Sequence, residues 1–227
     1  MKYFYLLNDF YMHQEIDRIS NIIFDLGGVI LNIDPHKTVD EMRKLGVDNF
    51  DAVYAHLKQT RTLDDLEKGL ITQREFLDQI KQDSSQALKD EQILKAWNAL
   101  LLDFPEERIR LLQQLKASRR YRIYLLSNTN IIHYRVYTRS LQEQHGITGL
   151  ESLFDKAYFS HELHMRKPDE EIYEYVLNDM QMDPEQTLFI DDSDVNIEAA
   201  RKLGINCFHL KRPTTITDLF PLQKGAR

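Results

Sequence analysis

The chain has 227 residues, 42% hydrophobic and 29% charged. This balance excludes a disordered polymer and leaves room for one large domain, or one core carrying an insertion. One cysteine, Cys207, excludes an intramolecular disulfide framework, and the absence of a Cys/His cluster argues against structural zinc. A net charge of −7 disfavours a nucleic-acid partner. No apolar run approaches the roughly 20 residues that span a bilayer. A soluble cytoplasmic protein with no membrane partner is therefore expected.

Residues 1–20 carry no clear periodicity and read as a loosely docked N-terminal arm. With Met12 shortly before the first strong element, residues 1–11 can also be the product of an upstream start codon. Five short apolar runs then read as buried parallel strands: Asn21–Asp25, Arg122–Ser127, Lys156–Ser160, Thr187–Asp191 and Asn206–Leu210. Amphipathic segments lie between them at Pro105–Ala117, Asp169–Met180 and Asn196–Leu203, the last opened by Asp194 and closed by Gly204. This alternation predicts an α/β fold, a doubly wound parallel sheet with helices on both faces. From Pro35 to Leu102 the alternation stops. The helical patterns there are Thr38–Leu45, Ala52–Lys58, Leu63–Leu70, Thr72–Ile80 and Glu91–Leu101, with Thr72 and Glu75 forming a capping box. So long an insertion after the first strand reads as an α-helical cap over residues 35–102, the core being 21–34 and 103–227.

Ligands of open α/β sheets bind beyond the carboxyl ends of the strands. Those ends carry Asp25-Leu26-Gly27-Gly28, Ser127-Asn128-Thr129-Asn130 and Asp191-Asp192-Ser193-Asp194, while Arg166-Lys167-Pro168-Asp169 precedes a helix. Each has a plain structural reading. Asp25 before two glycines can shape a turn, Ser127-Asn128 can cap a helix, Lys167-Pro168 can open one, and acidic residues suit a helix N-terminus. Together these readings weaken, because several carboxylates at the end of a buried strand repel one another unless a cation joins them. Hard oxygen ligands of this kind suit Mg²⁺.

The segments Phe24–Val29 (FDLGGV), Leu125–Asn130 (LLSNTN), Arg166–Tyr173 (RKPDEEIY) and Phe189–Ala200 (FIDDSDVNIEAA) resemble the four ordered motifs of the haloacid dehalogenase-like (HAD) hydrolase superfamily. The resemblance runs from about Ile22 to Leu210. The helical insertion resembles the cap of the subfamily containing many sugar-phosphate phosphatases, and FDLGGVILNID is similar to bacterial glucose-1-phosphate phosphatase-like members. The resemblance implies a Rossmann-like core and a phosphatase acting on a small phosphorylated metabolite. Asp25 would be the nucleophile. Asp25, the Gly27 carbonyl and Asp192 would hold Mg²⁺, with Asp191 as a further or indirect partner. Ser127, the Asn128 backbone N–H and Lys167 would bind the phosphate, with Gly27 and Gly28 in the same loop.

One departure matters. The superfamily's phosphatases usually place a second aspartate two residues after the nucleophile as general acid and base, and here that residue is Gly27. General acid catalysis is worth about 10²–10⁴-fold. Three consequences remain open: a substrate with a good leaving group, a substitute proton donor with Asp34 nearest, or binding with little turnover. The rivals are accordingly a 2-haloacid dehalogenase, which the Asp191-Asp192 pair disfavours, and a silent phosphometabolite-binding protein. His133, His145, His161 and His164 lack metal-ligand spacing, though His161 or His164 could line the active-site mouth. Trp97 reads as cap core. Arg119-Arg120 and Asp64-Asp65 read as solvated surface. Arg43, His56 and Arg61 belong to the cap with no orientation readable, and oligomeric state is left open.

Overall fold

The computed structural model describes residues 18–47, 50, 54, 57, 60–84 and 87–220. Most of the expected arm, His56 and most of the expected helix Ala52–Lys58 lie outside these residues; Phe50, Tyr54 and Leu57 are helical. Among the described residues no helix is long and apolar enough to cross a membrane.

Five parallel strands form one sheet in the order β3-β2-β1-β4-β5: β1 Asn21–Phe24, β2 Arg122–Ser127, β3 Lys156–Phe159, β4 Thr187–Asp191 and β5 Asn206–His209. All five expected strands are present. β1, β3 and β5 each stop one residue earlier than their apolar runs suggested. The central strands are buried throughout, as a parallel sheet covered on both faces requires. One face packs on helices including Glu106–Ser118 and Ile131–His145, around Phe24, Leu112, Leu125 and Ile190. The other packs on helices Glu170–Asp179 and Asp194–Lys202, around Tyr124, Ile172, Val176 and Phe189. Of the expected arm, Ile19 is buried in the first cluster and the Ser20 N–H donates to the Gln186 carbonyl at 2.9 Å.

Helix Ile131–His145 was not expected from the sequence. Its apolar residues do not mark out one continuous stripe, and five of its first seven (Ile131, Ile132, Tyr134, Val136 and Tyr137) are β-branched or carry a phenol ring. Its start is nevertheless written locally: Asn130 Oδ1 accepts the N–H groups of Ile132 and His133 at 3.1 and 3.0 Å. Helix Asp194–Lys202 begins two residues earlier than its apolar pattern implied, with Ser193 as N-cap rather than Asp194.

Between β1 and helix Glu106–Ser118 every described element is helical: Pro35–Lys44, Thr62–Glu67, Gln73–Asp83 and Asp90–Trp97, with a short 3₁₀ turn Asn98–Leu100. The Thr72–Glu75 capping box is formed in full. Met42, Phe50, Leu66, Phe76, Ile80, Ile93 and Trp97 build a separate apolar cluster, so these helices carry their own interior. The outgoing and returning chains pair where they leave the sheet. Asn32 N–H donates to the Asp103 carbonyl, Leu102 N–H to Asn32 and Asp34 N–H to Leu100, at 2.9–3.0 Å. This two-stranded neck fixes where the helices sit relative to the sheet.

Candidate active site

The register of the sheet assembles the site. Phe24 is level with Leu125 on one side and Ile190 on the other, so Asp25, one residue further, stands beside Leu126 and Asp191. The Asp25 N–H still donates to the Ile190 carbonyl at 2.9 Å, which holds its backbone in line. Carboxylate oxygens of Asp25, Asp191 and Asp192 all lie within 4.8 Å of one another. Asp25 and Asp191 are buried, while Asp192 is exposed at the rim.

Lys167 comes to this cluster from the segment ahead of helix Glu170–Asp179. Its Nζ donates to Asp25 Oδ1 at 2.6 Å, Asp191 Oδ2 at 2.7 Å and the Leu126 carbonyl at 2.8 Å. Three N–H groups meet three acceptors, so the ammonium is fully satisfied at 1% exposure. Burial works against its charge, but Asp191 and Asp25 outweigh that and raise its pKa. Burial likewise pushes the Asp25 carboxyl up to about 7, opposed by Lys167 and reinforced by Asp191 and Asp192. Asp192 is also raised, by burial and then by Asp191. Three carboxylates against one ammonium leave the cluster with excess negative charge when all are ionised. One divalent cation would balance it, and an all-oxygen donor set with one open, solvent-facing side suits Mg²⁺.

The two aspartates of the pair differ. Asp191 is held by Lys167, by the Ser193 N–H at 2.8 Å and by Asn196 Nδ2 at 3.1 Å to each of its oxygens. Asp192 is anchored through its backbone, where His209 Nε2 donates to its carbonyl at 3.0 Å, leaving its carboxylate at the rim. Gly28 explains the second glycine. Its φ is +76°, and an added Cβ would lie 2.2 Å from Asp192 Oδ2, so only glycine lets this carboxylate approach the loop.

Ser127 ends β2, buried, on the strand beside β1. The Asn128 side chain turns to the Lys167 backbone rather than to the rim. Its Oδ1 accepts the Lys167 N–H at 2.9 Å and its Nδ2 donates to the Lys167 carbonyl at 2.8 Å. The loop is pinned from below by Ser160, whose hydroxyl accepts the Thr129 N–H and donates to the Thr129 carbonyl, each at 2.9 Å. Asn128 as a clamp on Lys167, Ser160, Asn196 and His209 all escaped the sequence reading. Asn196 alone left a signal, lying about one helical turn after Asp191.

The remaining candidates have structural partners. Asp34 caps helix Pro35–Lys44, accepting the His36 N–H at 3.1 Å. His133 and His145 bond the carbonyls of Trp97 and Phe104. Trp97 lies in the cap interior. Arg43 and Arg61 are exposed, as are Arg119 and Arg120. Asp64 was expected to be solvated surface but instead pairs with Arg166 at 2.8 Å.

Comparison with known proteins agrees with this architecture. A family model described as haloacid dehalogenase-like hydrolase matches residues 19–204. A D-ribitol-5-phosphate phosphatase of Bacteroides thetaiotaomicron is 34% identical over 193 residues, 84% of this chain and 91% of that protein. A HAD family enzyme from the same organism, solved in complex with magnesium and inorganic phosphate, superimposes with a TM-score of 0.78 at 36% identity, covering 89% of this chain and 99% of that one. A predicted HAD-like family hydrolase from Porphyromonas gingivalis gives a TM-score of 0.76 at 28% identity, covering 91% and 100%. With four ordered motifs on the strand ends of a matching fold, the chain belongs to the haloacid dehalogenase-like hydrolase family.

Proposed function

We propose that the protein is a Mg²⁺-dependent phosphatase that hydrolyses a small phosphomonoester, a sugar or polyol phosphate, through an aspartyl-phosphate at Asp25. The observation that carries this reading is the convergence of Asp25, Asp191 and Asp192 within 4.8 Å around the Lys167 ammonium. The relative named for D-ribitol 5-phosphate, and the related enzyme solved with magnesium and phosphate, support the substrate class and the metal.

Asp25, Asp192 and the Gly27 carbonyl would hold the ion. Asp191, already accepting from Lys167, Ser193 and Asn196, orients the site and keeps Lys167 charged. When bound, Mg²⁺ offsets the repulsion between an anionic nucleophile and a dianionic phosphate. An Asp25 oxygen attacks phosphorus in line, the new O–P bond forms and the bond to the leaving oxygen breaks. The Ser127 hydroxyl and the Asn128 N–H donate to the phosphoryl oxygens, and Lys167 supplies charge beside them. Because all three Lys167 N–H groups are already engaged, a direct bond to phosphate replaces one of them, with the neutral Leu126 carbonyl the weakest partner. Water then attacks phosphorus, the Asp25–phosphate bond breaks, and orthophosphate leaves with the carboxylate restored.

The leaving oxygen takes its proton without an aspartate at position 27. Asp34 is engaged in capping its helix, so solvent at the open rim is the simplest source. Substrates with good leaving groups should therefore turn over fastest. The test is a panel of phosphate esters, from acyl and anomeric phosphates to polyol phosphates, assayed with Mg²⁺ and with excess chelator, with Asp25→Asn as control. Metal-dependent phosphate release that Asp25→Asn abolishes supports the reading. No release from any ester, or chloride release from a 2-haloacid without metal, overturns it.

A further inference from the structure

Lys167 is flanked by two contacts with the cap that catalysis as described does not use. Helix Thr62–Glu67 presents Asp64 and Glu67 one turn apart, and Arg166 bridges them: Nη1 to Asp64 Oδ1 at 2.8 Å and Nε to Glu67 Oε2 at 2.9 Å. On the other side of Lys167-Pro168, Lys68 Nζ meets Asp169 Oδ2 at 2.8 Å. Between these pairs the backbones touch. His164 Nδ1 donates to the Lys68 carbonyl at 2.8 Å, and at Gly69 an added Cβ would sit 2.3 Å from the His161 carbonyl. Partners about 100 positions apart in sequence thus close a four-part clasp around the residue that contacts Asp25.

The chemistry of the clasp suits a reversible contact. Glu67 and Asp64 repel each other, and burial raises the Glu67 pKa while Arg166 opposes it, so docking of this helix depends on the guanidinium. Yet partly exposed ion pairs contribute little each, because the charges regain water when they separate. A planar fork reaching two carboxylates also fixes orientation as well as distance, which a lysine cannot do. The Lys167 backbone is gripped independently by Asn128. Lys167 therefore sits between two holds, the cap contacts at Arg166 and Asp169 on either side of it and Asn128 from the core.

We infer that the Asp64–Arg166–Glu67 and Lys68–Asp169 pairs form an ionic clasp through which docking of the cap sets the position of Lys167, with Arg166 as a positioning residue. The kinetic side of this inference rests on the phosphatase reading; the structural side does not. The full-length protein with Mg²⁺ is assayed on two phosphomonoesters with different organic groups, alongside Arg166→Met, Arg166→Lys, and the paired change Asp64→Asn with Glu67→Gln. Backbone hydrogen exchange is followed in each.

Arg166→Met should speed exchange both at residues 62–69 and at residues 164–169, and should lower kcat about 10-fold or more by equal factors on both esters. Arg166→Lys should recover part of the loss. The paired carboxamide variant should match Arg166→Met, with no further loss when combined with it. A loss confined to one ester would mean that Arg166 touches the organic group, and would overturn the inference. So would unchanged exchange at residues 164–169, or full activity in Arg166→Met. The two esters are taken from those the wild-type protein hydrolyses in the panel above; if it hydrolyses none of the panel, the phosphatase reading fails and the exchange result alone decides the clasp.

Discussion

Lys167 holds the most exacting position in the molecule. Its ammonium lies between two carboxylates and a carbonyl in a site closed to solvent. Removing one partner of a buried ionic group costs about 3–5 kcal/mol, because the charges left behind are uncompensated. Lys167→Met should accordingly lose stability of that order in chelator, measured by urea denaturation, with Mg²⁺ returning part of it. Asn128 acts one step away, pairing with the Lys167 peptide as a second backbone would. Asn128→Asp replaces the donor facing the Lys167 carbonyl with an acceptor. It should lower kcat about 10-fold or more while the far-UV spectrum is unchanged, checked by steady-state kinetics and circular dichroism. Gly27 carries the opposite lesson. Its Cβ would meet only the Ile33 side chain, at 3.1 Å, and its φ is not left-handed, so an aspartate there is not excluded in the way that a side chain at Gly28 is, where φ is +76° and the Asp192 carboxylate fills the space. The missing acid at 27 is a matter of side-chain chemistry, whereas Gly28 is a matter of space.

At the scale of elements, helix Ile131–His145 shows how one cap residue can join two regions. Asn130 Nδ2 donates to His133 Nδ1, which leaves Nε2–H of the same ring to donate to the Trp97 carbonyl, while the ring stacks on Trp97 at 5.4 Å. Burial lowers the His133 pKa from 6.5 to about 4. The folded protein therefore binds fewer protons here than the unfolded chain between pH 6.5 and 4. The contribution is complete above pH 6.5 and is lost as pH falls through 4. At most about 3 kcal/mol is at stake for a shift of this size. Asp25, raised to about 7, acts in the opposite direction over the same range but equally in both proteins, so the urea midpoint of the wild type relative to His133→Gln should fall as pH drops from 6.5 to 4. Local sequence marked several element boundaries well. Thr72 and Glu75 gave a capping box, whereas the helix expected from Thr38 starts three residues earlier, at Pro35, with Asp34 as its N-cap. Helix 131–145 was hidden because its burial is set by the sheet on one side and the cap on the other, so no single stripe of apolar residues declares it.

For the molecule as a whole, a parallel sheet brings strand ends from residues 25, 127 and 191 to one rim, and a separate helical layer with its own apolar interior lies between β1 and β2. An ion bound among Asp25, Gly27 and Asp192 would bind the folded chain only, because the unfolded chain does not hold those groups together. At 100-fold its dissociation constant it would add about 2.7 kcal/mol. Thermal unfolding should therefore shift upward with Mg²⁺ and return with chelator. Asp192→Asn should shrink the difference while leaving the metal-free midpoint at or above that of the wild type, since it removes a carboxylate that repels Asp25 and Asp191.

Local patterns along the chain already specify the sheet and the chemistry on its rim. Parallel strands are written as short apolar runs, and the polar residue that ends each run must emerge at the carboxyl edge, so Asp25, Ser127 and Asp191 were legible from position alone. The partner of each of those groups is set only once the chain has folded. Asp191 is saturated while Asp192 faces outward, Asn128 grips Lys167, and Asp64 and Glu67 hold Arg166. The Asn128 and Arg166 pairings join residues some 40 to 100 positions apart, which periodicity along the chain does not encode. A hydrophobic pattern repeats every two or 3.6 residues and fixes a face, whereas a hydrogen bond is fixed within a few tenths of an ångström and only by the packing of the finished fold.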